Sequence, residues 1–139
     1  MFTMNIEFSI PISYRAMYSK MTIDEIYDYL DWDATLTIKH NNQIFFEEEI
    51  AIVEFYWHLL HWYRDFLSGQ KQHFIYSTVE HTEPILVFSL KNNNDWAIDS
   101  IWKKHEKPFL IKEEILIHEV KKVIKTIMYQ IEKPDNSPI

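Results

Sequence analysis

The sequence predicts an α+β fold: a largely antiparallel sheet in the order β-α-β-β-α-β-β-β-α, with two main helices packed on one face. Three observations predict it. Short segments alternate apolar and polar residues with the period of 2 that gives a strand one buried face, two long segments repeat apolar residues at helical spacing, and tight polar turns rather than long crossovers join most of the strands.

Phe2, Met4, Ile6, Phe8 and Ile10 alternate with Thr3, Asn5, Glu7 and Ser9, and Pro11 ends that first strand. Thr22 and Glu25 have the capping-box spacing, and Ile23, Ile26, Tyr27 and Leu30 follow at helical intervals opposite Asp24, Glu25, Asp28 and Asp31. A short amphipathic helix is expected there. The stretch "ATLTIKHNNQIFFEE" reads as a hairpin about Asn41-Asn42, two residues that tolerate the positive φ of tight turns. From about Glu48 a long helix is expected to run to Ser68, closed by Gly69, the only glycine of the chain. Three strands follow, "HFIYSTVE", "ILVFSL" and "DWAIDSIW". The near-continuous apolar run of the middle one predicts a central position covered on both faces. From about Glu113, Leu116, Ile117, Val120, Val123, Ile124, Ile127, Met128 and Ile131 share one side of a final helix, with His118, Lys121, Lys122 and Lys125 on the other. Residues 1–133 are expected to form one α+β domain and 134–139 a flexible tail.

Composition narrows the function. With 47% hydrophobic and 16% aromatic residues in 139, a single domain can bury a full core. The absence of cysteine removes disulfides, thiolate nucleophiles and sulfur-ligated zinc, and fits a reducing compartment such as the cytoplasm. No stretch reads as a cleaved signal or a membrane span. Residues 1–102 hold 15 acidic and 6 basic residues, whereas 103–139 hold 6 and 8, so the formal charge of −7 arises in the first three-quarters of the chain. Only Arg15 and Arg64 are arginines, a poor equipment for direct nucleic-acid binding, and the acidic portion suits a basic partner.

The stretch "VEFYWHLLHWYRDFL" concentrates the chemically interesting side chains. On a helix, Glu54, His58, His61 and Asp65 form a narrow row at i, i+4, i+7 and i+11, with Trp57 and Trp62 on its borders. Three readings are open. The row is the solvated face of a core helix; it is a metal site, for which imidazole and carboxylate are proper ligands but a linear row cannot enclose an ion; or it is a protein-binding surface, for which the tryptophans would serve as anchors. His58 and His61 stand three apart without the glutamate that a metalloprotease helix carries directly after its first histidine. Asp28, Asp31 and Asp33 form one acidic knot and Glu47, Glu48 and Glu49 another, the second expected at a helix N-terminus. Glu80 with Glu83, or Asp95 with Asp99, have the residue types for acid–base work, and Ser100 is expected to be a small core or edge residue. His40, His73, His81, His105 and His118 read as turn or surface positions. A single glycine leaves no room for a phosphate-cradling loop or a nucleophile elbow, so neither a catalytic residue nor a cofactor is expected.

From "IFFEEEIAIVEFYWHLLHWYRDFLSG" through "HFIYSTVEHTEPILVFSL" to "DWAIDSIW" the chain resembles small uncharacterised Firmicute proteins, several of them suspected immunity proteins of polymorphic toxin systems. Trp57, Trp62, Tyr76, Ser77, Glu80, Ser100 and Trp102 carry the likeness. The resemblance implies neutralisation of a cognate protein toxin by direct binding, without catalysis. Asp28, Asp31, Asp33, Glu47, Glu48, Glu54 and Asp65, with Trp57, His58, His61 and Trp62, are the residues expected to meet that partner. A phage-type inhibitor that mimics nucleic acid would use the same acids, and a metal-dependent hydrolase would need His58 and His61 to converge with distant carboxylates.

Overall fold

The computed structural model describes residues 3–9, 33–77 and 83–132. The expected helix around residues 22–31 and the tail 134–139 lie outside them. The elements are β1 (Met4–Ser9), β2 (Asp33–His40), β3 (Gln43–Ala51), α1 (Ile52–Leu67), β4 (Phe74–Tyr76), β5 (Leu86–Leu90), β6 (Asp95–Asp99), β7 (Phe109–Lys112) and α2 (Glu113–Glu132). The fold is α+β and antiparallel throughout, as predicted, but its strands form two sheets, β1-β2-β3 and β4-β5-β6-β7.

Asn41 and Asn42 turn the β2-β3 hairpin with φ of 52° and 67°, the left-handed region that asparagine tolerates. The side chain of Asn41 also accepts the Thr3 N–H at 2.8 Å, tying the turn to the start of β1.

The strand expected over "DWAIDSIW" ends at Asp99, with Ile101 and Trp102 in a turn, and two larger differences from expectation bear on the site. The long helix begins at Ile52, not near Glu48, because β3 continues in register with β2 through Thr37↔Glu47, Leu36↔Glu48 and Ala34↔Ile50. Phe46 and Ile50 are buried while Glu47 and Glu49 are exposed, which is strand parity rather than helical periodicity. Glu47, Glu48 and Glu49 therefore lie in a strand, and Glu54 is the acid of the helix's first turn. The second difference is β7, four residues that pair with β6 and lead without a break into α2. Phe109 and Ile111 are buried and Leu110 and Lys112 exposed, but a strand this short, fused to a helix, leaves little sequence signal.

The strand β5 is interior, between β4 and β6, as its apolar character predicts. It is not covered equally on both faces: Leu86 and Phe88 are fully buried, Val87 and Ser89 only half-buried.

One continuous core joins the sheets. The helix α1 packs against β2, β3 and β4, and α2 against β1, β6, β7 and α1, so each helix touches both sheets. Buried Glu119 on α2 accepts the Ile6 N–H at 3.0 Å and pairs with Lys122 at 2.8 Å, which fastens edge strand β1 to the helix. Trp96, fully buried, donates its indole N–H to Glu113 at 3.1 Å. At the far seam the Lys104 N–H donates to the Phe45 carbonyl at 2.7 Å.

Candidate functional site

The pleat sorts the residues of the three-stranded sheet by parity. Met4 and Ile6, Ala34, Leu36 and Ile38, and Phe46 and Ile50 point into the core. The opposite parity carries Asn5, Glu7 and Ser9, Thr35, Thr37 and Lys39, and Glu47 and Glu49, aligned in cross-strand rows Glu7–Thr37–Glu47 and Ser9–Thr35–Glu49. Glu7, Glu47 and Glu49 are exposed. The Thr37 hydroxyl donates to Glu47 at 2.9 Å and the Asn5 amide to Glu7 at 2.8 Å, so the lattice fixes where two of the three carboxylates stand. Lys39 reaches Glu7 at 3.5 Å, and Lys122 of α2 donates to the Asn5 side-chain oxygen at 2.8 Å, so two lysines border the three carboxylates. Glu47 and Glu49, roughly 7 Å apart along one strand, repel each other only weakly in water.

On α1 the predicted row is present. His58, His61 and Asp65 are exposed and Glu54 half-buried. The half-buried Trp57 ring stacks on His61 at 5.8 Å and meets Tyr56 edge-on at 6.0 Å, while His58 packs against the buried Tyr76 ring at 5.6 Å. Glu54, Trp57, His58 and His61 line a shallow depression of about 380 Å³. Both imidazoles lean on aromatic rings, and among the described residues no three histidines or carboxylates converge where an ion could sit.

Residues 5–133 match the model of a family described as a domain of unknown function, DUF7878. The chain belongs to that family. No curated protein and no solved structure matches it. No helix among the described residues is long and apolar enough to cross a membrane.

In this DUF7878 chain the predicted partner-binding residues divide. Trp62 leaves the set. It is 6% exposed, donates its indole N–H to the Gln72 carbonyl at 2.7 Å, and sits among Phe66, Phe74, Phe88 and Trp96 at ring distances of 5.5 to 5.9 Å. A tryptophan on the border of a polar helical strip goes inward when a sheet with a matching aromatic wall packs beside it, and β4, β5 and β6 supply that wall. Glu48 has the inward parity, opposite Leu36, and is half-buried, so the pleat separates it from Glu47. Asp33 opens β2 opposite Ala51, whereas Asp28 and Asp31 lie outside the described residues.

Glu7 and Glu49 join the acidic face although sequence reasoning did not choose them. The signal was their polar parity in β1 and β3, readable only once the strands are in register. Asp95 and Asp99 do not act as a pair: each is held by its own lysine, Lys112 at 2.7 Å and Lys103 at 3.1 Å. Ser100 is buried and its hydroxyl oxygen accepts the Trp102 N–H at 2.9 Å, a turn-forming role. Trp62, Tyr76, Ser100 and Trp102, four of the seven residues on which the sequence resemblance rests, thus build core and turns.

Proposed function

We propose that this chain is a non-enzymatic, acidic binding protein that neutralises a basic protein toxin by direct contact, an immunity protein acting in the cytoplasm. The observation that carries the reading is the alignment of exposed Glu7, Glu47 and Glu49 on one hydrogen-bonded sheet face, with Lys39 and Lys122 at its β1 side and no lysine paired with Glu47 or Glu49 among the described residues. A fixed field of one sign accelerates encounter with an oppositely charged protein, and residues already held in place lose little entropy on binding. Thr35 and Ser9 between the carboxylates supply hydroxyls for the polar contacts of such an interface, while the buried Thr37 hydroxyl holds Glu47 in place. The α1 row, with Glu54, Asp65, His58 and His61 around half-buried Trp57, is a second surface with an aromatic ring of the kind that anchors a partner and slows its release.

The test is co-expression with the product of the gene immediately upstream, followed by affinity measurement on the purified pair. Protection of the cells is expected. Affinity should fall about tenfold or more between 50 and 300 mM salt, since exposed charges are screened over that range. The triple variant Glu7→Lys, Glu47→Lys, Glu49→Lys should fold and fail to protect. Binding that ignores both salt and charge reversal would contradict the reading, and capture of a nucleic-acid-binding host enzyme in place of a toxin would favour the mimicry alternative.

A further inference from the structure

The acidic face leaves the basic end of the sequence without a role. Lys103 to Lys112 holds four lysines and one glutamate in a chain of formal charge −7. This stretch walls an open cavity of about 810 Å³ where the tip of the β2-β3 hairpin meets β6 and β7, lined by His40, Gln43, His105, Lys107, Phe109 and Lys112 together with their neighbours. His40 and His105, which read as turn or surface positions in the sequence, are brought to one site.

Its aromatic frame is ordered. The His40 ring lies flat on Phe109, 4.2 Å away at 11°, and Phe45 stands edge-on to Phe109 at 4.7 Å and to His105 at 5.8 Å. Phe109 and Ile111 are buried beneath the cavity, and Leu110, 58% exposed, forms an apolar part of its lining. The two acids that line it are Asp95 and Glu106. Asp95 is already satisfied, by Lys112 at 2.7 Å and by the Asn92 amide at 2.9 Å. Glu106 and Lys107 stand exposed side by side in the same lining.

We infer that this cavity binds a small organic anion with a flat apolar body, of which an aromatic carboxylate is the simplest representative. The volume lies in the range of small-molecule sites, and the mixture of an apolar floor with a few convergent polar groups is what such sites use. Phe109, Leu110 and Ile111 take the apolar body, Lys107 and the imidazoles the charge, and the Gln43 amide can donate to a carboxylate oxygen. Burial first, and the charge of His105 second, hold His40 below its ordinary value. A carboxylate seated beside His40 favours its protonated form, so binding takes up a proton and tightens as pH falls. This site is separate from the acidic face and stands whether or not that face binds a toxin.

The experiment is an NMR titration of the whole chain with 2-naphthoate, with naphthalene-2-carboxamide as the uncharged isostere and inorganic phosphate as the bare anion, at pH 7.5 and 5.5. Naphthoate should shift the resonances of His40, His105, Phe109 and Leu110 and bind about tenfold or more tightly than the carboxamide at pH 5.5. Its affinity should rise on acidification, and phosphate should bind far more weakly. His40→Gln should remove most of the pH dependence; the exposed Lys107→Gln should weaken naphthoate at both pH values. Equal affinity for naphthoate and carboxamide, phosphate binding as tight as naphthoate, absence of pH dependence, or shifts centred elsewhere would each overturn the inference.

Discussion

Two tryptophans five positions apart on one helix do different work. Trp62 is enclosed by four aromatic rings and anchored to the Gln72 carbonyl. Truncation to alanine there should cost about 3 to 5 kcal/mol, the range for a large aromatic removed from a packed core. Trp57→Ala, at a half-buried position stacked on His61, should cost far less stability and weaken partner binding instead. Chemical denaturation of both variants checks the contrast, and equal destabilisation would place Trp57 in the core as well. Gly69 takes φ of 96° where α1 ends, and a Cβ there would meet nothing within 4 Å, so the demand on this residue is purely conformational. Gly69→Ala should lower stability by about 1 to 2 kcal/mol without altering the fold. That glycine was legible in the sequence because the chain has no other. The inward turn of Trp62 was not, because helical periodicity defines a border but not which neighbouring element will cover it.

The same difficulty governs the elements. The final helix is placed at Glu113 by its apolar repeat and begins there, and the Asn41-Asn42 turn falls where the hairpin chemistry puts it. The run Glu47-Glu48-Glu49 misleads because three like residues carry neither a period of 2 nor one of 3.6, and β3 absorbs them by pairing with β2, a contact between residues about ten positions apart. Strand parity then makes a prediction that composition cannot. Glu47→Lys and Glu49→Lys, on the exposed face, should each weaken partner binding severalfold, and Glu48→Gln, of inward parity, should leave it nearly unchanged. Surface plasmon resonance on the three single variants decides it; a larger loss from Glu48→Gln would mean that the partner approaches from the other side of the sheet edge.

Across the whole molecule, one core spanning two sheets and two helices should unfold in a single cooperative transition. Its seam carries a pH dependence. Burial, and after it the nearby His105, hold His40 below its ordinary value of 6.5, so the folded state binds fewer protons there than the unfolded chain. The contribution is intact above pH 6.5 and is lost as the pH falls through the lowered folded value. Thermal unfolding should therefore show a midpoint that declines from pH 7 toward 5, and His40→Phe should flatten that decline; an unchanged slope in the variant would assign the effect to other groups. Charge asymmetry along the chain was visible in the sequence, but not that the fold would set an acidic sheet face in one place and gather His40, His105 and the basic stretch around a cavity in another.

The central claim is that the outward face of β1-β2-β3 is where a basic protein docks. Cross-saturation NMR on the labelled chain, bound to the protein that the co-expression test identifies as its partner, measures this most directly. Saturation should reach the amides of Glu7, Thr35, Thr37, Glu47 and Glu49. Transfer confined to the four-stranded sheet, with the glutamate face silent, would contradict it.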